Sequence, residues 1–286
     1  MTDQASRLRA LVMDHEPAAD TVREPDGDTS IIAVTSGKGG VGKTTIAVNL
    51  AVLFAELGER VLLVDADLGL ANVDVLLGLE FGRHMGHLLM ADYMPEDVTV
   101  EGPRGMRVIS GGSGLRELAN ASAADRRMLL DKLSGYYRTF DRVIIDTSPG
   151  IGADVTDFLS GADEILLVTT VEPTSLRDTY AALKSMTPMC HNDSSIRLVI
   201  NMATSEAQAA QAVAALNEVT DRFLGRRFDN WHFVTSDGLV GRAIRARKPL
   251  VCEYRRSAAA LCLRKLSVAF DCGAVAGSQD EYSRRT

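Results

Sequence analysis

Residues 31–45 read IIAVTSGKGGVGKTT, and this stretch decides the fold. IIAVTS (31–36) is a short apolar run rich in β-branched residues, the pattern of a strand buried on both faces. GKGGVGKTT (37–45) follows without a break and opens a helical pattern near 43–57. Gly37, Gly42, Lys43 and Thr44 satisfy G-x-x-x-x-G-K-[ST] in the strand–loop–helix setting that the pattern requires. Glycines at 37, 39, 40 and 42 let successive amide N–H groups turn inward around a phosphate with no Cβ in the way, and Val41 and Thr45 belong to the same cradle. The helix N-terminus behind them adds partial positive charge. Lys43 reaches toward β- and γ-phosphates, and the Thr44 hydroxyl is placed to ligate Mg²⁺. The expectation is a nucleoside triphosphate site.

Working outward, RVLLVDAD (60–67), RVIIDT (142–147), EILLVTT (164–170) and IRLVIN (196–201) are further apolar runs, with a shorter one at HFVTS (232–236). Helical patterns lie between and after them, near 124–139, 174–187, 205–222, 238–246 and 255–270. Continuous rather than alternating apolar runs mean strands covered on both faces. The predicted fold class is therefore α/β, a mostly parallel twisted sheet with helices on both faces, spanning residues 30–270 as one domain.

Composition narrows the function classes. The 286 residues are 46% hydrophobic and 24% charged, which excludes global disorder. No run of eighteen apolar residues occurs, and the first thirty hold neither an apolar signal core nor a basic leader, so a cytoplasmic protein is expected. The four cysteines are at least ten positions apart, which argues against a disulfide scaffold or a Cys-x-x-Cys metal site. The five histidines show no ligand spacing. Net charge is −7, so bulk charge does not make the chain a nucleic-acid binder. Charge is nonetheless uneven, with residues 242–265 carrying eight basic side chains against Glu253. Such a segment is either a solvated face or a surface for an acidic partner, an anionic lipid or DNA.

Two other strand ends carry acids. Asp146 closes RVIID and opens DTSPG (146–150), the Walker B arrangement, in which an acid polarises Mg²⁺ through a water. Gly150 would let a backbone N–H face the γ-phosphate, making 146–152 a nucleotide-sensing switch. In VDADLGLANVD (64–74), Asp65 and Asp67 stand two apart, and Asp67 falls on the loop at the strand's carboxyl end, where ligands bind in open α/β sheets. Both acids also suit capping of a helix near 72. The chain has only six lysines, yet Lys38 and Lys43 both sit in the glycine-rich loop.

Lys38 defines a subclass. KGGVGKTT, with its extra lysine, resembles the deviant Walker A loop of the MinD/ParA family, and the likeness covers residues 30–270 through four ordered motifs. The resemblance implies an ATP hydrolase that uses ATP and Mg²⁺ and forms an ATP-dependent homodimer. It implies that Lys38 reaches the phosphates of the partner subunit, a role suited to a flexible point charge. It assigns Asp67 to positioning the attacking water, Asp65 to ordering the magnesium shell, and Asn201, after RLVI, to the adenine edge. Glu172, Pro173 and Thr174 match a family segment placed at the dimer face.

The N-terminal residues stand apart. DQASRLRALVM (3–13) puts Ala5, Leu8, Leu11 and Val12 at helical spacing, and the acidic, proline-containing stretch 14–29 reads as a flexible tether. DQASRLR (3–9) resembles the N-terminal element of the flagellar-number regulators of the family, the FlhG, FleN or YlxH group, with Asp3, Gln4, Ala5, Leu8 and Arg9 matching. In that group the helix binds and stimulates the signal-recognition-type flagellar GTPase FlhF, and the resemblance makes Gln4 the polar contact. It also brings in the flagellar C-ring or a transcription regulator as partners, and a peripheral location at the inner membrane or cell pole.

Membrane-binding relatives end in an amphipathic helix. Here SAAALCLRKLSVAF (257–270) is amphipathic, but sixteen residues follow it, so a core helix with a disordered tail (271–286) is expected instead of an anchor. The rival function is a ParA-type partitioning ATPase that puts 242–265 on DNA, which leaves the N-terminal helix unexplained. An iron–sulfur carrier lacks suitably spaced cysteines, and a phosphate-binding module without turnover would lack Asp67.

Overall fold

The structure, a computed structural model, describes residues 29–67, 72–112, 121–150, 152–187 and 195–276. Eight strands form one sheet: β1 (Ser30–Thr35), β2 (Val61–Ala66), β3 (Thr99–Glu101), β4 (Arg107–Ile109), β5 (Arg142–Thr147), β6 (Glu164–Thr170), β7 (Ser195–Ala203) and β8 (Trp231–Thr235). Their order is β3-β4-β2-β5-β1-β6-β7-β8. Only the edge pair β3–β4 is antiparallel. Nine α-helices are described: α1 (Lys43–Glu56), α2 (Val73–Leu77), α3 (Ala123–Tyr137), α4 (Ala153–Ser160), α5 (Pro173–Met186), α6 (Glu206–Leu224), α7 (Gly238–Arg245), α8 (Leu250–Glu253) and α9 (Ala258–Ala276).

Alternation along each buried strand sorts the core into two layers. Ile32, Val34, Leu63, Ile144, Leu166 and Val199 face α1 and α9. Their neighbours face the other side, where Ala33, Ile165 and Leu198 meet α4, α5 and α6, and Leu62, Val143 and Ile145 meet α3. Helix α1 is apolar all round because it is enclosed all round, with every residue from Ile46 to Phe54 buried.

The last helix buries the apolar face expected in 257–270. Leu263, Leu266 and Phe270 are at most 3% exposed and belong to the same core as α1, so this face is already covered by protein. Phe270 meets Phe54 edge-on at 5.9 Å. The helix also runs to Ala276, six residues past the expected end, so the tail expected to begin at 271 is helical through 276. The alanines at 274 and 276 favour that continuation. No described helix is long and apolar enough to cross a membrane. Four of the eight basic side chains in 242–265 have partners within the chain: Arg255 and Arg264 both bind Glu56, Lys248 binds Glu253, and Arg242 stacks over Tyr254. Residues 1–28 and 277–286 lie outside the described residues, and with them Asp3, Gln4, Ala5, Leu8, Arg9 and the expected tether.

Candidate functional site

The chemistry-bearing loops leave the carboxyl ends of neighbouring strands, the crevice where open α/β sheets bind ligands. There a cavity of about 670 Å³ is lined by Gly39, Gly40, Gly42, Lys43, Thr44 and Asp67, and further out by Asn201, Met202 and Asp237. The glycine-rich loop is held in shape by backbone contacts. A Cβ on Gly37 would collide with the Asp178 carbonyl of α5, so the loop begins pressed against that helix. Gly42 caps α1 at φ 92°, a left-handed conformation that a side chain rarely adopts, and a Cβ there would strike the Asn201 amide.

Lys43 and Asp146 form the buried floor. Lys43 is 6% exposed, and burial lowers its pKa while the charges of Asp146 and Asp67 oppose that shift. Asp146 is wholly buried, and neither carboxylate oxygen makes a hydrogen bond. Burial pushes its pKa up to about 7, against the nearby Thr44 hydroxyl and the Lys43 charge, with Asp67 adding to the rise. A buried carboxylate left unbonded is costly unless a cation or its water shell completes it. Among the described residues no group of three or more His, Cys, Asp or Glu would hold a metal by itself. That suits magnesium, which keeps waters and phosphate oxygens and needs only one or two protein ligands.

Asp65 is placed otherwise than its expected metal role requires. It is the register partner of Asp146 on β2, wholly buried, but both its oxygens are committed to backbone. The Asp67 N–H donates to Oδ1 at 3.1 Å, and the Asn72 and Val73 N–H groups both donate to Oδ2 at 3.2 Å. Burial, then the Asp146 charge, pushes its pKa up to about 8, opposed by those amides. The side chain thus ties Asp67 to the start of α2 and aims it. Asp67 itself is half-buried at the cavity and accepts a hydrogen bond from the Ser148 hydroxyl at 3.0 Å. Ser148 was not anticipated; its only signal is its place two residues after Asp146.

The loop after β5 is also tied to the glycine-rich loop. Gly150 N–H donates to the Ser36 carbonyl at 2.8 Å, and the Thr147 hydroxyl donates to Val34 O at 3.0 Å. Asn201 lies across the other flank. Its amide Nδ2 donates to Val41 O at 2.7 Å and its Oδ1 accepts from the Met202 N–H, so the residue expected at a base edge clamps the loop. Lys38 does not line the cavity, and its Nζ donates to Glu172 Oε2 at 3.1 Å and Thr174 Oγ1 at 3.0 Å. The match at 172–174 is therefore joined to Lys38 within one chain.

Comparison with known proteins adds relatives to this geometry. A family model described as an AAA domain matches residues 29–198. The antiactivator FleN of Pseudomonas aeruginosa is 38% identical over 241 residues, covering 84% of this chain and 86% of that protein. The flagellum site-determining protein YlxH of Helicobacter pylori is 32% identical over 256 residues, covering 87% and 84%. Among solved structures, the cell division ATPase MinD of Pyrococcus furiosus superposes with a TM-score of 0.72 at 24% identity over 85% of this chain and 98% of its own. MinD complexed with Mg-ADP from Pyrococcus horikoshii gives 0.69 at 25% identity over 86% and 97%.

Proposed function

This chain belongs to the MinD/ParA family of ATPases, and from that premise we propose that it is a Mg²⁺-dependent ATP hydrolase that dimerises on ATP and regulates flagellar number and placement. The observation that carries the ATPase reading is Asp146, a wholly buried carboxylate with unbonded oxygens beside Thr44, Lys43 and the glycine cradle. Thr44 and Asp146 would hold magnesium, which when bound offsets charge on the β- and γ-phosphates. Gly39, Gly40 and Gly42 leave room for phosphate oxygens against backbone amides, and Lys43 brings its ammonium group to them. Asp67, fixed by Ser148 and by the Asp65 cap, orients the attacking water. Asn201 retains one amide N–H beyond the one given to Val41 O, enough to meet an adenine edge.

Dimerisation assigns Lys38 to the partner's phosphates. ATP then supplies contacts that the nucleotide-free monomer lacks, which is population shift by a ligand. Sizing of the Asp67→Ala variant with and without ATP tests this: a lasting ATP-dependent dimer is expected, and rapid return to monomer would overturn the assignment.

The flagellar role rests on the FleN and YlxH relatives and on the match at Asp3, Gln4, Ala5, Leu8 and Arg9. In this reading residues 1–13 bind and activate a signal-recognition-type GTPase, the FlhF of that group. A peptide of residues 1–20 should stimulate GTP hydrolysis by that enzyme, and its Gln4→Ala variant should not. Absence of stimulation by either peptide would remove the activator role while leaving the ATPase intact.

A further inference from the structure

Met202 departs from the local rules of its strand. Its φ is 58°, a left-handed conformation that costs free energy for any residue with a Cβ and suits glycine or asparagine. It sits at an irregularity where Asn201 pairs with Val234 and Ala203 pairs with Thr235, so it is the extra residue of a bulge. The bulge turns a large apolar side chain outward, 45% exposed, in a strand whose neighbours Ile200 and Ala203 are buried. Bulges with strained backbone persist where they re-aim a side chain at a functional site.

The target of that aim is on the cavity wall. Met202 lines the cavity with Gly42, Lys43 and Thr44, and its terminal methyl lies 3.6 Å from where a Gly42 Cβ would stand. It therefore flanks the phosphate cradle, in a cavity whose lining also includes the apolar side chains of Val234, Val240 and Ile244. A nucleotide with its phosphates in the cradle would extend its base into the same cavity, toward these apolar side chains. A thioether is polarisable and packs well on an aromatic face.

We propose that Met202 is the residue on which the flat base of the bound nucleotide rests, and that it favours purines over pyrimidines through the larger face they present. This rests on the nucleotide reading above. It adds a contact to the base face, separate from any edge contact by Asn201, and the bulge at 201–203 is the device that holds it out.

The test compares binding of ATP, UTP and inorganic tripolyphosphate, each with Mg²⁺, to the full-length chain and to Met202→Gly and Met202→Leu. Met202→Gly should weaken ATP binding about three- to tenfold and narrow the ATP-over-UTP preference. It should leave tripolyphosphate binding unchanged, and it should not lower the melting temperature, because glycine accepts the backbone conformation. Met202→Leu, which keeps the apolar area, should stay close to the parent. Equal losses for ATP and tripolyphosphate would mean the bulge merely shapes the loop and would overturn the proposal, as would unchanged ATP binding. Tripolyphosphate binding without any preference for ATP in the parent chain would defeat it too. Failure of the parent to bind ATP and tripolyphosphate alike would instead defeat the nucleotide reading on which it rests.

Discussion

Lys38 Nζ lies 3.1 Å from the Glu172 carboxylate of its own chain, so the lysine assigned to the partner's phosphates is held in cis when no partner is present. The pair is solvent-exposed on the Glu172 side, at 65%, which limits its worth to about 1 kcal/mol or less. Glu172→Gln should therefore shift the ATP concentration for half-dimerisation down by no more than about fivefold. Lys38→Ala should abolish dimerisation and keep nucleotide affinity through Lys43. Sizing against ATP, paired with a fluorescent-nucleotide titration, reads both, and a normally dimerising Lys38→Ala would remove its role in trans.

Asp67 and Ser148 should separate by magnitude. Asp67→Ala removes the group that orients the water, and turnover should fall about 10²- to 10⁴-fold. Ser148→Ala removes one hydrogen bond to Asp67 and leaves the carboxylate, so the loss should be about tenfold or less. Single-turnover hydrolysis distinguishes them; equal losses would mean that Ser148 does more than position its neighbour.

Asp146→Asn removes a buried charge with no hydrogen-bond partner. Without nucleotide the relieved desolvation is set against the lost attraction to buried Lys43, so the melting temperature should move by no more than about 2–4 °C. With Mg²⁺ its ATP affinity should drop about 10- to 100-fold, while binding in EDTA stays near the parent value. A larger fall would show that the attraction between Lys43 and Asp146 outweighs the cost of burying the carboxylate.

Asp237 supplies the pH-dependent prediction. Its Oδ1 accepts the Leu239 N–H and its Oδ2 the Ala259 N–H, so one carboxylate starts both α7 and α9. The Leu239 amide bond leads in holding its pKa below the ordinary value, against partial burial. A depressed folded pKa means the stabilisation is present in full above about pH 4 and is lost as pH falls through the folded value. Asp237→Ala should cost about 1–2 kcal/mol at pH 7 and flatten the acid limb of a urea-midpoint titration below pH 4. An unchanged acid limb would show that the cap does not titrate with folding.

The six longer strands are legible because each is an unbroken β-branched or leucine-rich run, and RVIIDT and EILLVTT match β5 and β6 residue for residue. β3, β4 and α8 are not, since three or four residues carry too little periodicity to stand out from loops. Within the site, positions that depend on adjacency in the chain are readable: Lys43 and Thr44 open α1, and Asp146 lies in β5 one residue before its end. Roles that depend on the sheet order are hidden. Capping near 72 is one of the two readings the sequence leaves open for Asp65, and the sheet decides it, whereas nothing near Asn201 reveals that Val41 lies beneath its amide, 160 residues away.

Helix α1 behaves as a beam fixed at both supports. At the cradle end Asn201 grips Val41 O, midway Asn49 Oδ1 accepts the Val251 N–H, and at the far end Glu56 is held by Arg104, Arg255 and Arg264. A rod so anchored neither tilts nor slides when its load changes. Nucleotide turnover is therefore expected to move the rim, where the 146–150 loop and the Lys38 turn are held by a few single hydrogen bonds and an exposed ion pair, before it moves this helix. On that expectation, a partner that reads the nucleotide state docks at the carboxyl edge of the sheet.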